Sequence, residues 1–203
     1  IIAWDRLEHL GKEEWARGGA DTVRAAGAEF GSIAHQDTDP LKAARADWAG
    51  LADISDYVVI RCYNTVQSAR MRSGAEGPEP TILRDVPPET RYTLAALWSA
   101  WPSVPGFNEV AHGAVPALQA ADAVRRCVKA VGGRVPVHVG LGLDIPNPDG
   151  TRRPTPTQFI EKAIRQVLQA GAAGFVLCRE YEEIGESSLR AVGRAIRHYQ
   201  KEA

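Results

Sequence analysis

The chain has 203 residues, of which 44% are hydrophobic and 24% charged, and its formal net charge is −1. That length can bury one substantial core, and a balanced charge gives no electrostatic footprint for nucleic acid or an anionic membrane surface. No apolar run approaches the roughly 20 residues a membrane span needs.

The first residue is Ile1 rather than methionine, which reads as a processed or truncated product, so any targeting segment could be lost. Cys62, Cys127 and Cys178 form an odd set without CxxC spacing. They read as buried thiols rather than a metal site or a disulfide frame, which favours a cytosolic origin.

In chain order, residues 1–4 read as the end of a strand with Asp5 at its tip. Residues 13–26 read as a helix closed by Gly27. Residues 30–35 read as a strand, followed by Gln36-Asp37-Thr38-Asp39-Pro40. Asp39 can cap the next helix with Pro40 at its first position, and that helix runs to about residue 51. Residues 57–62, YVVIRC, form the clearest β-rich run of the first half and lead into Tyr63-Asn64. Residues 74–80 are a loop by composition, and 89–101 a helix. Residues 106–110 read either as a short strand or as loop. Residues 114–131 are an alanine-rich helix closed by Gly132-Gly133. After a strand in the segment VPVHVGLGLDIPN come a helix over 158–170, a strand over 174–178 and a final helix over 187–200 with Ser187 as a possible cap.

The segment starting at Val135 is the most informative. Val137, Val139, Leu141 and Leu143 alternate with His138, Gly140, Gly142 and Asp144. A period of two sends the sets to opposite faces of a sheet, the apolar set under helices. Strand, polar tip, helix, strand, polar tip is the pattern of parallel α/β proteins, whose sites sit at the carboxyl ends of strands. The expected fold is a single-domain α/β chain, a TIM-like parallel (β/α) barrel lacking its first units. With the last strand counted as the eighth, 135–144 is the seventh, 107–110 the sixth, 57–62 the fifth, 30–35 the fourth and 1–4 the third, and the missing units precede Ile1. The rival is a doubly wound sheet, but neither GxGxxG nor GxxxxGK[ST] occurs.

The segment GLGLDIPNPDG…TPTQFIEKAIRQVLQAGAAGFVLCREYEEI…LRAVGRAI resembles the last two units of a TIM barrel of the glycoside-hydrolase type. The resemblance covers roughly the second half of the chain. It implies acid-tipped strands, AGAAGFVL as the eighth strand, and cleavage of a glycosidic bond by two carboxylates without a cofactor.

Asp144 is the first candidate, a carboxylate aimed at substrate from a face that Gly140 and Gly142 leave roomy; the alternative is a loop-capping Asp bonded to backbone amides around Asn147 and Gly150. Glu180 shares a face with Gly174, Val176 and Cys178 and would point inward at the mouth; its alternatives are an ion pair with Arg179 or a first-turn helix acid. Asp37 and His35 lie on one face, where an acid/His pair can tune proton transfer, although Asp37 equally suits a turn before Pro40. Glu109 joins them if residues 106–110 form a strand.

Arg61 interrupts an apolar strand, with Tyr57, Val59 and Tyr63 on its side, and a buried arginine needs a carboxylate partner. It would orient a catalytic acid or form a structural pair. His138 reads as a core histidine. Trp98 and Trp101 can stack on a sugar ring or pack a helix. Tyr63 and Tyr181 flank strand tips as further substrate contacts.

The five lysines, Lys12, Lys42, Lys129, Lys162 and Lys201, all fall on expected helices or the tail, which disfavours a Schiff-base aldolase. Acidic strand tips repel phosphate. No HExxH, clustered His/Cys set or GxSxG is present, so neither zinc nor a serine nucleophile is expected. The leading expectation is a glycosidase-like barrel acting on a neutral carbohydrate or small oligosaccharide. The second is a non-catalytic carbohydrate-binding or assembly subunit, a partial barrel completed by a partner chain or an oligomer. A third is another barrel enzyme, a lyase or isomerase. No nucleic-acid or membrane partner is expected.

Overall fold

The structure, a computed structural model, describes residues 2–35, 48–62, 85–98, 117–144, 154–177 and 184–202, with the backbone alone given for 2–13, 35, 95–96, 98, 117–119 and 202. The described residues form an α/β arrangement of four parallel strands and six helices. The order is α1 (Ile2–Ala25), β1 (Gly31–His35), α2 (Trp48–Ile54), β2 (Tyr57–Cys62), α3 (Pro88–Trp98), α4 (Ala117–Val131), β3 (Val137–Leu141), α5 (Thr157–Gln169), β4 (Gly174–Leu177) and α6 (Glu186–Glu202).

The strands lie side by side in chain order, β1-β2-β3-β4, every neighbouring pair parallel. Gly31 pairs with Tyr57, His35 with Arg61, Arg61 with Gly140, and Gly140 with Val176. Each run expected to be a strand, at 30–35, 57–62, 135–143 and 174–178, thus contains one, over 31–35, 57–62, 137–141 and 174–177, and each is parallel to the next.

Two expectations are corrected. Residues 2–4 are not a strand end but the first residues of α1. Ile, Ala and Trp there continue without Pro or Gly into Asp5-Arg6-Leu7-Glu8-His9-Leu10, and that unbroken helix-forming run outweighs the local β-branched signal. The second correction concerns the strand order. β2 pairs directly with β3, so the count that put a sixth strand between them does not hold. Residues 106–110 lie outside the described ones.

One face of the sheet builds the core. Ala34 of β1, Val58, Ile60 and Cys62 of β2, and Val137, Val139 and Leu141 of β3 pack with Trp48 of α2, Ala120, Val124 and Cys127 of α4, Ile160, Ile164 and Val167 of α5, and Ala191, Val192 and Ala195 of α6. Phe175 and Leu177 of β4 lie against the same cluster. Leu143, just beyond β3, joins it as its alternation requires. Burying each such aliphatic side chain contributes about 1.5–3 kcal/mol before the entropy of ordering is counted.

Polar clamps fix the helices around this core. The Arg24 guanidinium at the end of α1 donates to Asp56 at 2.9 Å and to the Ile54 carbonyl at 3.2 Å, and Asp56 also accepts the Phe30 N–H at 2.8 Å. This one carboxylate sets the turn into β1 against the turn into β2. Arg134, after the Gly132-Gly133 close of α4, donates to Asp53 and to the Ala49 carbonyl of α2. Both glycines have positive φ, +62° and +72°, as a helix stop by glycine requires.

The other face carries Gly31, Ile33, Tyr57, Val59, Arg61, His138, Gly140, Gly174 and Val176, by alternation from the core set. Ile33 is 53% exposed and Val176 42% exposed. Parallel sheets are ordinarily covered on both faces; on this one the two aliphatic side chains stay exposed.

Candidate functional site

The carboxyl ends of the strands gather the polar groups. Their geometry starts on the open face, one layer down. A side chain at Gly31 would run into the Tyr57 ring, and one at Gly174 would meet His138 Nδ1 at 3.0 Å. The Tyr57 and His138 rings are 5.4 Å apart and tilted by 41°. In register, Gly31 pairs with Tyr57 and Gly174 with His138, so each ring fills the space that its glycine neighbour leaves. His138 is therefore half-buried on the face opposite the core cluster rather than a core histidine.

Above this layer, Arg61 is half-buried, between His35 on β1 and Gly140 on β3 in register. A Cβ at Gly140 would touch the Arg61 stem at 3.5 Å. Among the sequence candidates, the structure thus brings Arg61 and His35 to adjacent positions at the carboxyl end.

Asp144 closes the end of β3, and its setting differs from the expected one. The strand stops at Leu141, and Asp144 has φ +53°, so the alternation does not extend to it. Its side chain turns toward the starts of α5 and α6. Oδ1 accepts the Thr155 N–H at 2.6 Å and the Ser188 hydroxyl at 3.0 Å, and Oδ2 accepts the Gly185 N–H at 2.8 Å. The Asp144 N–H donates back to Thr155 Oγ1 at 2.9 Å. Asp144 is only 6% exposed. An acid this buried needs its oxygens satisfied, and here they are held by three donors. The capping alternative placed those donors near Asn147 and Gly150; the observed ones come from Thr155, Gly185 and Ser188.

These three partners were not among the residues singled out from sequence. Ser187 was read as the α6 cap, but Gly185 supplies the first accepting carbonyl, to the Ser188 and Leu189 N–H groups at 3.1 and 3.2 Å. Ser188 instead turns its hydroxyl to Asp144. The available signal was the polar phrase before each helix, Thr155-Pro156-Thr157 and Gly185-Glu186-Ser187-Ser188, which marks helix starts without naming their partner.

The remaining candidates divide simply. Trp98 is the last residue of α3, described for its backbone alone. Asp37, Tyr63, Trp101, Glu109, Glu180 and Tyr181 lie outside the described residues. Among the described residues, no group of three or more His, Cys, Asp or Glu side chains could hold a metal ion. No helix among them is long and apolar enough to cross a membrane.

No family model, curated protein or solved structure matches the chain.

Proposed function

We propose that this chain forms one flank of a (β/α) barrel of the glycosidase type, with a site for a neutral carbohydrate at the carboxyl edge of its sheet. The observation that carries the reading is the one-sided parallel sheet. Among the described residues its strands follow chain order without the reversal that creates the switch point of a doubly wound sheet. The helices α2, α4, α5 and α6 pack on one face, and on the other Ile33 and Val176 are exposed. A barrel wall has this form: helices outside, and a lumen face filled by side chains of the other strands.

In this reading the acids of the mouth are Glu180, Glu109 and Asp37. One is protonated and donates to the leaving oxygen, and a second is ionised and acts at the anomeric carbon or on the attacking water. Arg61, with His35 beside it, binds substrate or holds one acid ionised. Tyr63, Trp98, Trp101 and Tyr181 supply the aromatic surface a pyranose stacks on. Asp144 holds the rim rather than attacking, because both its oxygens already accept hydrogen bonds. No cofactor enters the reaction.

The test is hydrolysis of a panel of neutral oligosaccharides and 4-nitrophenyl glycosides. Turnover of at least one is expected, with kcat lowered about 10²–10⁴-fold in one or more of Glu180→Gln, Glu109→Gln and Asp37→Asn. Absence of turnover across the panel contradicts the enzyme. The half-open face also favours a second reading, a carbohydrate-binding subunit whose barrel is completed by a partner chain; binding without turnover is its signature.

A further inference from the structure

We infer that Asp144 is a positioning residue that couples the starts of α5 and α6, so that the two helix ends behind the proposed rim loosen together or not at all. One carboxylate lies at two helix N-termini, where unpaired N–H groups and the positive ends of the helix dipoles favour negative charge. Thr155 sits just before α5, and Gly185 is the first accepting residue of α6. Oδ1 is shared between the two helices, taking the Thr155 N–H and the Ser188 hydroxyl, while Oδ2 takes the Gly185 N–H.

Sharing is what produces the coupling. Were each helix capped by its own side chain, loss of one cap would leave the other intact. Here a bond lost on the α6 side frees the carboxylate to shift, and the Thr155 bond shifts with it. The positive φ of Asp144, +53°, holds the side chain at this junction against an unfavourable backbone conformation. Among the described residues the helices have a second polar tie, Arg194 of α6 to Glu161 of α5 at 3.3 Å, but it is exposed and one helical turn or more away from both starts. It cannot replace a buried junction.

The inference rests on the proposed function only for calling this edge a rim. It is tested without substrate, so its failure and the failure of that reading are separable. Amide hydrogen exchange is measured residue by residue on the whole chain, in the wild type and in Ser188→Ala and Thr155→Val. In Ser188→Ala, which removes one α6 bond, the Thr155 amide is expected to exchange about fivefold faster, together with Gly185. In Thr155→Val the Gly185 amide is expected to speed up by a similar factor, while Val139 in the sheet stays unchanged. Independent caps would confine each increase to the substituted helix. That result, or no increase in either variant, overturns the coupling.

Discussion

The Tyr57 side chain occupies the space that a side chain at Gly31 would need: a Cβ built there would lie 2.2 Å from two ring carbons and 2.6 Å from the hydroxyl oxygen. This close approach joins β1 to β2 on the open face. Gly31→Ala is expected to destabilise the chain by about 1–3 kcal/mol through overpacking. In Gly31→Ala/Tyr57→Ala the loss should be smaller than the two single losses summed, because the ring no longer competes for the space. Urea unfolding of the four proteins checks both statements; strictly additive losses would separate the two residues.

The two faces of the sheet should respond differently to truncation. Leu141 is buried in the core, and Val176 is 42% exposed on the opposite face. Leu141→Ala is expected to cost about 2–5 kcal/mol, and Val176→Ala about 0.5 kcal/mol or less. Equal losses would mean that the open face is covered.

Acid should weaken the junction of α1, β1 and β2. The Arg24 guanidinium, and then the Phe30 N–H, hold the Asp56 carboxyl below its ordinary value. A carboxyl with a lowered native pKa stabilises the fold above its ordinary value and loses that contribution as the pH falls through the native one. Asp56→Asn should therefore flatten the decline of Tm below about pH 4. A variant whose acid limb is as steep as that of the wild type would remove Asp56 from this role. The pair is partly exposed, so salt should reduce the difference.

Cys62 and Cys127 are buried in the core, and burial pushes the first thiol up to about 12 and the second up to about 11. At pH 8 both stay protonated and shielded, so iodoacetamide should modify them only in denaturant. Mass mapping of the alkylated peptides reads each site separately. Modification of Cys62 in the native chain at the denatured rate would contradict its place under the sheet.

The strands were legible because their apolar residues alternate over several positions, and burial of one set fixes the register. In β3 the alternation from Val137 to Leu141 placed the helix-facing set correctly and seated His138 opposite it. The same pattern misled at Asp144, because a strand's end is a backbone event that alternation does not mark. Ile2 to Trp4 failed for a related reason: β-branched and aromatic residues carry a strand signal even inside a helix. The bonds of Asp144 to Gly185 and Ser188 span 41 and 44 positions, and local periodicity holds no information on donors that distant. Arg61 beside His35 needed only the register of two recognisable strands, so that part of the edge could be anticipated.

The most direct measurement of the proposed site is a crystal soaked with a mixture of neutral oligosaccharides. The account predicts a sugar at the carboxyl edge of the sheet, within hydrogen-bond reach of Arg61 and on the side of the rim held by Asp144. A sugar bound only at the amino edge or against the helices, or no sugar at saturating concentration, would contradict it.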